Sequence, residues 1–416
     1  MKFLIVPIGF GLAICVLALR ANGEPAGVGV PPLHPRVILR DRCGQQAMFS
    51  SDGSRLLTAD YQKSRLWDAV TYKPIGDLAF GAARIDRVSF VAGGRLVFTS
   101  GTCDSGPRAR IARFFAAETA APSGPEIDLQ GGRRAVTSGD GKYVAESWGD
   151  EVSVLEAATS RVALSKDAAP AAGDLRLNGN GSFLVYECDS ADYPQDSEMR
   201  MIRVRDGKLA FEDQLRIPKC DCQLANVAFS PDGKSVAIGD TKGFKIFDLA
   251  TEKLIFDSPR LCPPIESWER ARASKMEFSP DGGFLFAIRE NGVHRFNCAT
   301  REVRRPVSMP SGFDAFSMSR DGRYASGWYR LQNGVRQTGQ GAVVVDMDTG
   351  KALWQWPRND PGGDGCYATI APDGRRLAVN DAQANCAYIL DLGDLPRAAT
   401  QPSAVPADIS SGLVPP

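Results

Sequence analysis

Short apolar runs separated by polar turns recur along almost the whole chain. The unit is clearest from Val227 to Phe256, V-A-F-S-P-D-G-K-S-V-A-I-G-D-T-K-G-F-K-I-F-D-L-A-T-E-K-L-I-F. An apolar run, the turn Ser230-Pro231-Asp232-Gly233, a second run, a polar loop, a third run ending Phe247-Asp248, the turn Ala250-Thr251-Glu252-Lys253 and a fourth run predict four strands with three connections. One such four-stranded sheet is a propeller blade.

The first turn of the unit returns along the chain at Ser51-Asp52-Gly53, Ala92-Gly93-Gly94, Gly139-Asp140-Gly141, Gly179-Asn180-Gly181, Pro231-Asp232-Gly233, Pro280-Asp281-Gly282, Arg320-Asp321-Gly322 and Pro372-Asp373-Gly374. The spacing is about 40 to 52 residues, at or just above that of propeller blades. Asp or Asn caps such a turn through its side chain and Gly supplies positive φ, so the recurrence follows from turn chemistry without any ligand. Second strands such as Leu96-Val97-Phe98, Phe183-Leu184-Val185 and Phe284-Leu285-Phe286 are apolar throughout where a one-sided sheet would alternate. Both faces are therefore expected to be buried, as in a blade packed between two neighbours. The expectation is an all-β, eight-bladed β-propeller of four-stranded antiparallel blades over residues 36–395, with seven blades as the alternative. The eighth repeat runs into Gly393-Asp394 and proline after its third strand, so the lone strand Arg36 to Arg40 is expected to close the ring as that blade's outermost strand.

Third strands end in pairs such as Trp67-Asp68, Leu155-Glu156, Phe247-Asp248 and Leu390-Asp391, and most are followed by a turn containing Thr. With its F-S-P-D-G turns the chain resembles the WD-repeat proteins and their looser bacterial relatives, and the resemblance implies the propeller fold. Trp67-Asp68 is the one true Trp-Asp pair and no Gly-His dipeptide occurs, so the hydrogen-bond tetrad of regular WD repeats is absent.

Outside the repeats, residues 1–23 read as a signal peptide: Lys2, an apolar run from Phe3 to Leu19, and Ala21-Asn22-Gly23 before Glu24. The expected location is secreted or periplasmic, with no membrane insertion after cleavage; an uncleaved N-terminal anchor is the alternative. Residues 24–35 read as a Pro- and Gly-rich linker and 396–416 as a disordered tail. Lys+Arg and Asp+Glu are both 49. That balance gives no reason to expect nucleic acid, since a phosphate-binding domain carries a basic excess.

Candidate chemistry is sparse. His34 and His294 are the only histidines, there is no G-x-S-x-G elbow, and no haem-type Cys motif occurs. The loop from Glu187 to Glu198 gathers Asp189, Asp192 and Asp196 but departs from the EF-hand pattern, and a solvated acidic loop explains it. Cys220-Asp221-Cys222 has the wrong spacing for zinc. No cofactor and no metal are expected. Nine cysteines follow the leader, in a compartment that permits disulfides. Cys43, Cys103, Cys188, Cys220, Cys222, Cys262, Cys366 and Cys386 fall on or beside the face of the long connections. They are expected to form up to four disulfides: Cys366 with Cys386, Cys188 with Cys220 or Cys222, the remaining one of that pair with Cys262, and Cys43 with Cys103. Cys298 falls on the other side and is expected to be a free thiol filling apolar space.

The length in this chain lies in the second-to-third-strand and blade-to-blade connections, which emerge on one face: Ser100 to Arg108, Glu187 to Glu198, Arg216 to Asn226, Pro259 to Ser274, Gly327 to Gly341 and Arg358 to Tyr367. Insertions in repeat proteins gather on the face that binds. The aromatic residues Tyr61, Trp148, Tyr193, Trp268, Trp328, Tyr329 and Tyr367 are expected there as the candidate binding face. The functional expectation is a non-catalytic scaffold engaging an unknown protein or peptide partner. A cation-dependent propeller hydrolase or lyase and a carbohydrate-binding module are the alternatives. The enzyme reading wants acids on the first strands, where Glu277 and Asp314 are the acidic residues in view.

Overall fold

In six of the eight repeats the polar turn satisfies its own hydrogen bonds and so seeds a hairpin. In the fifth repeat Ser230 Oγ donates to Asp232 Oδ1 at 2.6 Å, Lys234 N donates to the same carboxylate at 3.0 Å, and Ser235 N donates to Ser230 Oγ at 2.9 Å. Gly233 takes φ +70°, a backbone region closed to most side chains. The arrangement recurs with Ser50 and Asp52, Ser138 and Asp140, Ser279 and Asp281, and Ser319 and Asp321. Asn178 and Asn180 replace the pair in the fourth repeat. Third-to-fourth-strand turns are closed in a similar way: Thr251 donates to Asp248 Oδ1 through N at 2.7 Å and Oγ1 at 2.8 Å.

The computed structural model describes residues 35–39, 46–81, 84–102, 110–129, 134–167, 174–189, 197–211, 227–239, 243–258, 261, 275–289, 292–309, 314–333, 336–358, 367–381 and 385–393. Two units are distinguished: Met1–Pro32, which lies outside the described residues, and Leu33–Pro416, which holds all of the described ones. The leader, most of the linker and the tail expected from the sequence thus fall outside the description.

Eight antiparallel sheets follow one another along the chain. Their first strands are Gln46–Phe49, Arg84–Val91, Arg134–Thr137, Leu175–Leu177, Val227–Phe229, Lys275–Phe278, Asp314–Met318 and Ala368–Ile370, which number blades 1 to 8. Six sheets have four strands. In blades 4 and 6 the fourth strand is reduced to isolated bridges, Ile202 to Leu209 in one, and Phe296 to Val303 and Val293 to Val307 in the other. Blade 8 completes itself with the start of the chain: Val37–Leu39 pairs antiparallel with Cys386–Asp391, Ile38 opposite Tyr388. The expected closure by the N-terminal strand is therefore present.

The core is divided into eight apolar clusters, one at each contact between neighbouring blades. Val236 and Phe247 of blade 5 pack on Val185 and Met201 of blade 4. Ala237 and Phe244 of blade 5 pack on Met276 and Leu285 of blade 6. Alternate residues of one strand thus serve two cores, which explains why the second strands show no polar face. The last cluster joins Ile389 and Leu39 of blade 8 to Leu56 and Trp67 of blade 1. Across the same junction Thr369 Oγ1 donates to Ala47 O at 2.8 Å and Arg376 Nη1 to Ala69 O at 2.7 Å. Trp67, from the single Trp-Asp pair, donates its indole N–H to Thr58 Oγ1 at 2.8 Å and is a core residue.

One stretch departs from the sequence reading. Of the stretch Gly327 to Gly341, expected as a long connection, residues 327–333 and 336–341 belong to paired strands, Tyr324–Asn333 and Arg336–Asp346.

Candidate functional site

A side chain on a first strand either enters an interblade core or faces the axis. In blade 2 a bulge decides which. Pairing with the second strand slips between Ile85 and Arg87, leaving Asp86 as the extra residue. Ile85 and Val88 therefore both face the core shared with blade 1, although three residues apart, and Arg87 is turned away from it. The bulge is held from both sides. Asp86 forms ion pairs with Arg110 and with Arg84, the latter at 3.4 Å, and Gly101 lies opposite, where a Cβ would come within 2.0 Å of Arg84 O.

Arg87 then lines a cavity of about 350 Å³ in the central channel. Phe90, Val136, Leu177 and Phe229, from blades 2 to 5, supply its apolar walls, and Ser89, Thr137 and Ser230 its hydroxyls. Gly139, Gly179 and Pro231, all in first-to-second-strand turns, place it at the turn face of the propeller. On the first strands of blades 3 and 4 are Arg134, level with Arg87 in register, and Arg176, nearer the turn. Arg134 pairs with Asp174, and Arg176 Nη1 donates to Val227 O at 2.6 Å. Glu277 of blade 6 is held by Lys275 at 3.3 Å.

Arg87 is exposed to the water of the channel, with protein around it on several sides. Burial pushes its guanidinium below the ordinary value, and Arg176 and Arg134 push it the same way. Burial lowers Arg176 too, and the carboxylates of Glu277 and Glu187 oppose that effect. The sequence signal for this cluster is an arginine on the first strand of three successive repeats, passed over by a search for carboxylates alone.

The aromatic residues expected on the opposite, loop face divide. Tyr61 is 49% exposed, with the Arg84 guanidinium 5.0 Å from its ring centre. Trp148 is 50% exposed at the end of the second strand of blade 3. Tyr367 is 39% exposed and meets Trp328 edge-on at 6.4 Å. Trp328 itself is a correction to the sequence reading: it is 8% exposed, because its segment is a strand packed between blades and not a loop. Tyr193, Trp268 and the side chain of Tyr329 lie outside the described residues.

So do Cys43, Cys103, Cys220, Cys222, Cys262, Cys366 and the side chain of Cys188; Cys386 is buried. Cys298 is a free thiol packed against the core between blades 5 and 6. Burial, with Asp281 and Asp232 nearby, pushes it up to about 11, which leaves it protonated and unreactive at neutral pH. His294 is buried in its strand. Among the described residues no cluster of His, Cys, Asp or Glu has the makings of a metal site, and the side chain of Asp314 and most of the acidic loop after Glu187 lie outside them.

No protein-family model matches the sequence, and no curated protein matches it. Among solved structures the chain is similar to Kuenenia stuttgartiensis hydrazine synthase, at 14% identity and a TM-score of 0.46, with 89% of this chain and 99% of that chain covered. A likeness at that level says nothing about activity.

Proposed function

We propose that this chain is a non-catalytic, extracytoplasmic binding scaffold of the WD-repeat-like kind, which engages a protein or peptide partner through its loop face. One observation carries the reading: Tyr61, Trp148 and Tyr367 are exposed on that face, while the Ser and Asp side chains of the turn-face hairpins bond to each other within their own turns. Large aromatic side chains with few rotamers are what protein interfaces use as anchors.

The test is copurification from the envelope fraction of the source cells. A partner recovered with the parent should be lost with the triple variant Tyr61→Ser, Trp148→Ser, Tyr367→Ser, and retained with the turn-face variant Lys142→Ser, Lys234→Ser. Retention by the loop-face variant would overturn the reading. The extracytoplasmic location is tested by peptide mapping of the non-reduced protein, where Cys366 joined to Cys386 is the expected pair and full alkylation without reduction is the contrary result.

A further inference from the structure

The turn face holds a second, separate feature that the loop-face reading leaves unused. Buried or half-buried arginines in this protein are matched. Arg176 donates to a carbonyl, Arg203 pairs with Glu252, and Arg376 meets Asp373 at 2.7 Å and Gly53 O at 2.9 Å. Arg87 has no hydrogen-bonding or ion-pairing partner among the described residues, and the charges that act on it are those of two further arginines, Arg176 and Arg134. A cation held beside like charges in a narrow channel is disfavoured even where water reaches it. Here the fold builds it in. Arg87 alternates with the core residue Val88 and so faces away from that core, as Arg134 does at the equivalent register position of blade 3.

We propose that the turn-face end of the central channel is a binding site for a small organic anion, a carboxylate or phosphate ester on an apolar body, with its charged group seated on Arg87. The guanidinium offers a planar fork of donors that matches either headgroup. Phe90, Leu177 and Phe229 provide apolar wall for the body, and Ser89 lines the same cavity. A cavity of about 350 Å³ is at the small end of ligand sites, which suits a ligand of one ring or a short chain. The cavity lining includes no carboxylate, so nothing in it repels an anion.

The experiment is calorimetric titration of the whole protein at low salt with benzoate, phenyl phosphate, the neutral isostere benzamide, and inorganic phosphate, repeated on Arg87→Met. The parent is expected to bind benzoate or phenyl phosphate, and the tighter of the two identifies the headgroup. Benzamide should bind at least tenfold more weakly, and so should the preferred anion on Arg87→Met. Chloride at about 0.5 M should weaken binding to the parent by competition and screening. The variant without ligand should melt no lower than the parent, since it relieves repulsion, whereas an arginine serving only the fold would lower the melting temperature when removed. Equal binding by parent and Arg87→Met would overturn the proposal, as would no binding of either aromatic anion. Inorganic phosphate binding as tightly as phenyl phosphate would overturn the apolar half of the site.

Discussion

The two faces of this propeller are made from the same strands and differ in what becomes of their polar groups. On the turn face each Ser-x-Asp-Gly hairpin consumes its own side chains: Ser279 Oγ donates to Asp281, and Phe284 N returns to Ser279 at 2.9 Å. On the loop face Trp148 and Tyr61 stand half in solvent. A motif that recurs in nearly every repeat is therefore here a mark of folding, and the side chains that do not recur are those free for binding.

The largest test concerns the ring that both faces share. Deleting Arg36 to Leu39 removes the outer strand of blade 8, with its ladder and the buried Leu39, and is expected to cost about 5 kcal/mol or abolish folding. Denaturation followed by tryptophan fluorescence reads it, and a parent-like midpoint would show that the closure carries no stability. Next is the core between the faces. Phe247→Ala, at a residue 1% exposed and edge-on to Phe211 at 5.2 Å, should lose about 3 to 5 kcal/mol in the same assay.

Acid should strike the turns of the turn face. Burial raises Asp52 and Asp232, but hydrogen bonds from Ser50 and Ser54 in one, and Ser230 and Lys234 in the other, outweigh it, and both carboxyls sit below the ordinary range. Donation from Thr251 to Asp248 and from Thr71 to Asp68 acts the same way at the third-to-fourth-strand turns. A folded value below the unfolded one means that this stabilisation is complete above about pH 4 and is lost as pH falls through the lower folded values. Melting temperature should accordingly drop below about pH 4, and less steeply in Asp232→Asn. Equal slopes would remove that carboxylate from the account.

The smallest effects separate the faces most cleanly. Asp232→Ala on the turn face should cost about 1 kcal/mol through lost turn hydrogen bonds. Trp148→Ala on the loop face should change stability by less than about 0.5 kcal/mol, because its ring is half in water. The reverse order would mean that the turns are dispensable and the aromatic rim is structural.

What the sequence discloses follows this division. The blades and their number are legible because Ser230 to Gly233 and its counterparts act within a few residues, and because an apolar run such as Phe284-Leu285-Phe286 has two neighbours to bury against. The axis is not legible in that way. Ile85 and Val88 share one core through a slip of register at Asp86 that no alternation in R-I-D-R-V-S-F-V betrays, and Arg87 meets Arg134 and Arg176 because first strands of successive blades lie side by side about the axis. Trp328 went the other way. Glycines and polar residues around it resemble a loop, yet Leu331 pairs with Gly339 and the hairpin continues to Asn333 opposite Arg336.

The division between the faces is the central claim, and site-specific photo-crosslinking tests it most directly. A photoreactive amino acid is placed singly at Tyr61, Trp148 and Tyr367 on the loop face and at Lys142, Lys234 and Arg375 on the turn face, and the protein is irradiated in the envelope fraction of the source cells. The account predicts that the three loop-face positions attach to one and the same protein and that the three turn-face positions do not. Attachment of that protein from the turn-face positions, with none from Tyr61, Trp148 or Tyr367, would contradict it.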